Sequence, residues 1–136
     1  MTTARPDVSV VIPTHDRRDR LERALAALVQ DGRAYACVCT RKEVEQAASA
    51  PHAEGAETPY PGTCRGRFAS PDEARATGRE VALRLRVEAD EVRFEDALQG
   101  PQAVHVAATA GDFVVARKDG VAAYQLATPV DDAGQG

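Results

Sequence analysis

Three cysteines and one tyrosine are the residues of this chain whose types and spacing most clearly indicate chemistry. One residue separates Cys37 from Cys39, and in a later segment Tyr60 precedes Cys64 by four positions. Two cysteines this close cannot easily form a disulfide with each other, so both sulfurs are free to bind one ion. Three thiolates and a fourth donor make a tetrahedral zinc shell, and either the Tyr60 phenolate or the His52 imidazole would complete it.

Two helix starts and a long loop are predicted around these donors. A capping box at residues 40–43 predicts the start of an alanine-rich helix that runs to about Ser49. The partial positive charge at the start of this helix is expected to favour the thiolate forms of Cys37 and Cys39. Residues 51–66 are rich in Pro, Gly, Ala and Thr, which predicts a loop that a metal would hold in place. A serine, a proline and acidic residues at 70–73 predict a short helix to Gly78.

The other predicted elements alternate between helix and strand, which indicates an α/β fold. Apolar residues that repeat at three and four positions predict a helix from a cap at Asp16 to Asp31-Gly32. A β-branched apolar run predicts a strand at 8–12, and alternating apolar and polar residues predict another at 81–87. Val92 and Phe94 suggest a third strand. An Asp119-Gly120 turn predicts a hairpin of two more strands, at 113–117 and 121–128.

Length and composition limit the class of protein. The chain has 136 residues, a formal net charge of -4 and three cysteines, which suits one modest domain with reduced thiols better than a disulfide framework. The sequence contains neither an apolar run of roughly 18 residues nor a secretory signal pattern. We therefore expect a cytoplasmic protein, a monomer, without membrane contact.

Several blocks of the sequence resemble the glutamyl-Q tRNA(Asp) synthetases, relatives of glutamyl-tRNA synthetase in the class I aminoacyl-tRNA synthetases. The resemblance covers about residues 17–136, and its order and spacing make it specific. It implies a fragment of a class I Rossmann-like catalytic domain with a zinc-binding insertion at about residues 35–66. The blocks that carry it lie at residues 32–43, 60–65, 82–87, 94–96, 111–115, 119–120, 124–127 and 130–132.

The resemblance also implies an activity and a set of site residues. The activity is ATP-dependent activation of glutamate and its transfer to queuosine in aspartate tRNA, so that ATP, glutamate and this tRNA are the implied substrates and partners. The implied zinc ligands are Cys37, Cys39, Tyr60 and Cys64, and Tyr124 is the implied glutamate-binding residue. A closed shell of four protein ligands leaves no position for an activated water, so we expect the zinc to be structural.

The sequence departs from the family at its start. No segment before Arg17 resembles the family's HIGH-like signature, and no KMSKS-like loop is found, so we expect the chain to be inactive by itself. Residues 7–29 are instead similar to the opening of family 2 glycosyltransferases, although the Asp-x-Asp metal motif of those enzymes is absent. This suggests a boundary near residue 30, with 1–30 of uncertain origin and 31–136 synthetase-like.

Two alternative functions follow from the same residues. The first is a fragment related to family 2 glycosyltransferases. The second is a non-catalytic, zinc-stabilised RNA-binding module, in which a set of arginines would contact phosphates. Those arginines are Arg65, Arg67, Arg84 and Arg86.

Overall fold

Five helices and five strands make up the part of the chain that the computed structural model describes, which comprises residues 17–47, 59–88 and 91–135. The expected strand at 8–12, the cap at Asp16 and the alternative ligand His52 lie outside these residues. In chain order the elements are α1 (Arg17–Gln30), β1 (Ala34–Cys37), α2 (Arg41–Ala47), α3 (Pro71–Arg75), β2 (Ala82–Leu85), β3 (Val92–Asp96), β4 (Gly100–Val104), α4 (Val106–Thr109), β5 (Val114–Ala116) and α5 (Tyr124–Gln135).

A three-stranded antiparallel sheet in the order β1-β2-β5 forms the centre of the fold. β1 pairs with β2 from Ala34 opposite Leu85 to Cys37 opposite Ala82. All four residues of β1 are buried, because both faces of this strand are covered. The sequence does not predict β1, since its Ala-Tyr-Ala-Cys sequence lacks β-branched residues and polar alternation.

Two apolar clusters pack against the sheet. One contains Ala34, Val115 and Leu126 and is covered by the apolar side of α1 and by α5. The other gathers Tyr35 and the buried thiols with Ala74 of α3, so the candidate metal ligands lie inside a hydrophobic core rather than on a surface loop. β3 and β4 form a separate two-stranded antiparallel sheet.

The helix signals of the sequence are largely confirmed. α1 ends at Gln30, followed by Gly32 with a left-handed φ of 69°. At the start of α2 the Glu43 carboxylate accepts the Thr40 N–H at 2.6 Å, and the Thr40 hydroxyl accepts the Glu43 N–H at 3.2 Å. This is the reciprocal capping box that the sequence predicts.

The strand predicted at 121–128 is wrong over most of its length. Only Ala122 forms an isolated antiparallel bridge, with Ala116, and α5 begins two residues later. Leu126 and Val130 are spaced four residues apart and pack in the cluster beneath α1, so tertiary packing favours a helix despite Pro129 within it. No helix among the described residues is long and apolar enough to cross a membrane.

Candidate metal centre

The four donors that the sequence singles out meet at one end of β1. Cys37 is the last residue of β1, and Cys39 lies two residues later, just before α2. Tyr60 and Cys64 come from the loop that precedes α3. Cys37 and Cys64 are each 1% exposed and Tyr60 is 6% exposed, whereas Cys39 is partly exposed. The site therefore joins two segments that are more than twenty residues apart in sequence.

The distances among the donors fit a tetrahedral zinc shell. The three Sγ atoms lie within 4.8 Å of one another, and the Sγ atoms of Cys39 and Cys64 are 3.4 Å apart. The Tyr60 Oη is 3.4 Å from the Sγ atoms of both Cys37 and Cys39. Zinc–sulfur bonds of about 2.3 Å place the sulfurs of a regular tetrahedron about 3.8 Å apart, with a slightly shorter sulfur–oxygen edge. Small side-chain movements would therefore seat one ion among all four donors.

The Tyr60 oxygen is already held in a position that suits a ligand. The backbone N–H of Cys64 donates a hydrogen bond to the Tyr60 Oη at 2.9 Å. A backbone donor on this oxygen stabilises the phenolate form, as outer hydrogen bonds commonly do for metal ligands.

The protonated form is favoured at Cys39 and Tyr60, which differs from the thiolate that the sequence predicts beside α2. Burial raises the pKa of Cys39 to about 11, and burial together with hydrogen bonds to the thiols raises the pKa of Tyr60 as well. Burial opposes ionisation of Cys64 too, but hydrogen bonds from the Val38 N–H, Tyr60 and Cys39 lower its pKa overall. Desolvation is the largest contribution to the raised pKa of Cys39. Metal binding must therefore release protons, so affinity is expected to rise with pH.

A buried carboxylate that the sequence analysis missed fixes the loop of the metal centre. Asp112 is 3% exposed and accepts hydrogen bonds from the Tyr35 hydroxyl at 2.5 Å and from the Val87 N–H at 2.8 Å. The Arg65 guanidinium, next to Cys64, donates two more, one of them from Nε at 2.9 Å. Asp112 thus ties the Cys64 loop to the strand that carries Cys37.

The neighbouring Gly111 contacts the same loop from the other side. Its backbone forms an isolated parallel bridge with Tyr60, and its φ is 59°. A Cβ at this position would lie 3.1 Å from both the N and the O of Tyr60. Glycine suits this tight approach and this positive φ, so residues 111 and 112 together position one candidate metal ligand and the residue beside another.

Comparison with known proteins identifies the family. A family model described as tRNA synthetases class I (E and Q), catalytic domain, matches residues 4–136. The chain belongs to this family. The match includes the segment before Arg17 in which the sequence alone shows no synthetase signature, while the boundary near residue 30 stays a prediction.

Curated relatives of this class I synthetase chain carry the name that the resemblance predicts. The glutamyl-Q tRNA(Asp) synthetase of Geobacter sulfurreducens is 44% identical over 120 residues, which are 88% of this chain and 36% of that protein. The protein of the same name from Nocardia farcinica is 46% identical over 127 residues, which are 93% of this chain and 39% of that protein. The chain thus spans less than half the length of these relatives.

Solved structures confirm the predicted fold class. A glutamate tRNA ligase from Elizabethkingia meningosepticum, in complex with its amino acid, matches with a TM-score of 0.67 at 22% identity, over 93% of this chain and 27% of that chain. A glutamate-tRNA synthetase from Elizabethkingia anophelis matches with a TM-score of 0.65 at 22% identity, over 88% of this chain and 26% of that chain. The described elements are therefore a piece of the class I synthetase fold.

The remaining residues of interest in this class I synthetase chain have separate places. Arg84 lies over the Tyr60 ring, with its Cζ 3.8 Å from the ring centroid, and donates to the Asp112 carbonyl oxygen at 2.7 Å. Arg86 lies over the Tyr35 ring at 5.9 Å, and Arg67 lies over Phe68 at 5.2 Å. The arginines predicted to contact phosphates are thus partly engaged within the chain, and that role stays a prediction.

Tyr124, the implied glutamate-binding residue, lies on a different element from the metal donors. It is the first residue of α5 and is 76% exposed. Its hydroxyl is therefore accessible to a ligand, and its role stays a prediction.

Replacing Gly111 by alanine is expected to weaken zinc binding about tenfold and to lower the free energy of unfolding by about 1–3 kcal/mol, because the new Cβ must push the Tyr60 backbone away. Gly120→Ala is the matched control, since Gly120 also has a positive φ of 80° but has nothing within 4 Å of its added Cβ. Zinc competition against a chromophoric chelator measures the first effect and urea unfolding the second. Equal zinc affinities in the two variants would contradict the role given to Gly111.

Proposed function

We propose that this chain is a zinc-binding part of the catalytic domain of a glutamyl-Q tRNA(Asp) synthetase, an enzyme that activates glutamate with ATP and transfers it to queuosine in aspartate tRNA. The observation that carries this proposal is the convergence of Cys37, Cys39, Tyr60 and Cys64 on one point. Their spacing matches the zinc ligands that the resemblance to this family implies, and the curated relatives at 44% and 46% identity carry this name.

The zinc in this proposal is structural. The ion would join the end of β1 to the loop around Tyr60 and Cys64, with all four positions taken by protein donors. Its contribution is to fix these two segments against each other, because the free energy of binding a structural metal adds to the stability of the fold. No water would be activated in such a shell.

Chemistry on glutamate and ATP then falls to other residues of the enzyme. The sequence of this chain shows no HIGH-like or KMSKS-like segment, so we expect no glutamate activation when it is assayed by itself. Tyr124 would contribute to the glutamate site through its hydroxyl, which is accessible at the start of α5.

A chimaera tests the proposed function. Residues 17–136 would replace the matching segment of the Geobacter sulfurreducens glutamyl-Q tRNA(Asp) synthetase, to which the chain is 44% identical. We expect the chimaera to attach labelled glutamate to aspartate tRNA that contains queuosine, and not to the same tRNA with guanine in place of queuosine. A folded, zinc-loaded chimaera that does not glutamylate either tRNA would overturn the proposal, as would glutamylation at the acceptor end.

Tyr124→Phe in this chimaera is expected to raise the KM for glutamate about ten- to hundredfold, because a hydrogen bond to a charged substrate contributes about 1.5–3 kcal/mol. The neighbouring Gln125 is also exposed, so Gln125→Ala serves as the control. Steady-state kinetics with varied glutamate provide the measurement. Unchanged KM in the phenylalanine variant would remove Tyr124 from the glutamate site.

A further inference from the structure

Exposed apolar side chains are concentrated on the hairpin of β3 and β4. Val92, Phe94 and Val104 are 43%, 50% and 40% exposed, and Leu98 in the connecting turn is 97% exposed. Val92 lies opposite Val104, and Phe94 is two residues from Val92, so these three side chains share one face of the two-stranded sheet. A sheet of two strands is marginally stable by itself, so a further strand beside it would be stabilising.

The outer edge of β3 is open. Among the residues that the structure describes, β4 is the one strand paired with β3, and residues 92–96 make no backbone hydrogen bond to another described element. An edge of this kind presents unpaired N–H and C=O groups to a new strand. β4 begins with Gly100-Pro101 instead, and a proline without an N–H makes a strand edge a poor partner. β3 is therefore the edge of the hairpin that can accept another strand.

The charges of β3 are complementary to a second copy of the same strand. Arg93 and Glu95 flank Phe94, and all three side chains are exposed. When two copies of β3 lie antiparallel with Phe94 opposite Phe94, Arg93 of each copy faces Glu95 of the other. This register forms two ion pairs and one aromatic pair, all of which stabilise neighbouring strands. A parallel arrangement in register would place like charges opposite each other, so the pattern selects the antiparallel one.

The present contacts of these two charges leave them able to change partners. Arg93 pairs with Glu91 in the same chain, and the Arg93 side chain is 78% exposed. An ion pair this exposed contributes little to stability and exchanges readily. Glu95 makes no ion pair and no side-chain hydrogen bond with any residue that the structure describes. Across the hairpin, Arg93 and Glu95 lie opposite uncharged residues, Ala103 and Pro101.

We propose that β3 is a self-association edge, at which two copies of this chain pair antiparallel about Phe94 and form a four-stranded sheet in the order β4-β3-β3-β4. The same surface is used on both copies, so the contact closes as a dimer. Five residues a side cannot bury the roughly 1,200 Å² of a stable interface, so we expect a weak dimer that forms at high concentration. This dimer replaces the monomer expected from the sequence, and it requires neither zinc nor the proposed enzymatic activity.

Sedimentation velocity of the purified chain between about 10 and 1,000 µM, with charge-reversal variants, tests this edge. Glu95→Arg alone and Arg93→Glu alone each place like charges opposite each other, so each should weaken dimerisation at least about tenfold. The double variant R93E/E95R should dimerise like the unaltered chain, because opposite charges face each other again. For the same reason, an equimolar mixture of the two single variants should dimerise although neither does alone. Glu22→Arg is the matched control, because Glu22 is an exposed carboxylate on α1.

Recovery of the dimer in the double variant and in the mixture would support pairing through β3, and it would exclude misfolding as the cause of the loss in the single variants. An unaltered chain that stays monomeric over the whole concentration range would overturn the proposal and leave this edge to a strand of a different protein. Dimers that Glu95→Arg and Glu22→Arg weaken equally, or that the mixture does not restore, would overturn it as well. A failed chimaera assay would leave these results untouched, so the two proposals can fail separately.

Discussion

Cys64→Ser is expected to abolish zinc binding and to lower the free energy of unfolding by about 4 kcal/mol or more. Cys64 is 1% exposed, and it links the Tyr60 loop to Cys39 across a 3.4 Å contact. Loss of one ligand opens the tetrahedral shell, and loss of a structural metal is among the few causes of destabilisation this large. The zinc content of the purified variant and its urea unfolding curve provide the measurement.

Thr63→Ala is the control for this experiment, because Thr63 neighbours Cys64 in the chain but is exposed. We expect it to retain zinc and to change stability by less than about 0.5 kcal/mol. A Cys64→Ser variant that retains tightly bound zinc would contradict the ligand assignment. A variant that loses zinc at unchanged stability would contradict the structural role of the metal.

Asp112→Asn has the second largest expected effect, a loss of about 3 kcal/mol in the free energy of unfolding. The carboxylate is 3% exposed and accepts from Tyr35, Arg65 and Val87, and an amide cannot replace both of its oxygens as acceptors. Removing one partner of a buried ion pair lowers the free energy of unfolding by about 3–5 kcal/mol. The low end of this range applies to Asp112 and Arg65 because the Arg65 side chain is 39% exposed. Zinc affinity should fall as well, because Arg65 would no longer hold the Cys64 loop.

The same carboxylate gives the stability of the chain an expected dependence on pH. Burial alone would raise the pKa of Asp112, but the donors from Arg65, Tyr35 and Val87 hold it below its usual value. A folded-state pKa below the unfolded value of about 3.9 adds stability above that pH, and this stability is lost as pH falls through the folded pKa. Urea unfolding between about pH 3 and 7 should therefore show an acid-dependent loss that Asp112→Asn reduces.

Asp72→Asn is the control for both measurements. Asp72 also pairs with an arginine, Arg75, at 2.7 Å, but its side chain is 91% exposed. We expect a change within about 0.5 kcal/mol. If the two asparagine variants were equally stable, Asp112 would not act as the link between the metal loop and the sheet.

The four candidate metal ligands can be picked out from the sequence because their signal is local, and their role as ligands stays a prediction. One residue separates Cys37 from Cys39, and three separate Tyr60 from Cys64, so each pair is visible as a motif. The residues that position these pairs have no such signal. Asp112 meets Arg65 across 47 positions and Tyr35 across 77, contacts that only the folded chain brings together.

The errors in predicted secondary structure have a similar cause. The Asp119-Gly120 turn was correctly placed, but the segment after it becomes α5 because Leu126 packs beneath α1. β1 was missed because its residues favour no strand by themselves, and it is buried on both faces only in the complete sheet. Local sequence propensity is enough to predict the capped helices, whereas long-range packing determines the secondary structure of β1 and of the segment that forms α5.

The zinc content of the purified chain, measured together with its folded structure before and after treatment with a strong chelator, tests the central claim most directly. We predict about one zinc ion per chain, and removal of the ion should lower the urea midpoint and the circular dichroism signal together. A chain purified without metal that unfolds at the same urea concentration with and without added zinc would contradict the claim that these four residues form a structural metal centre.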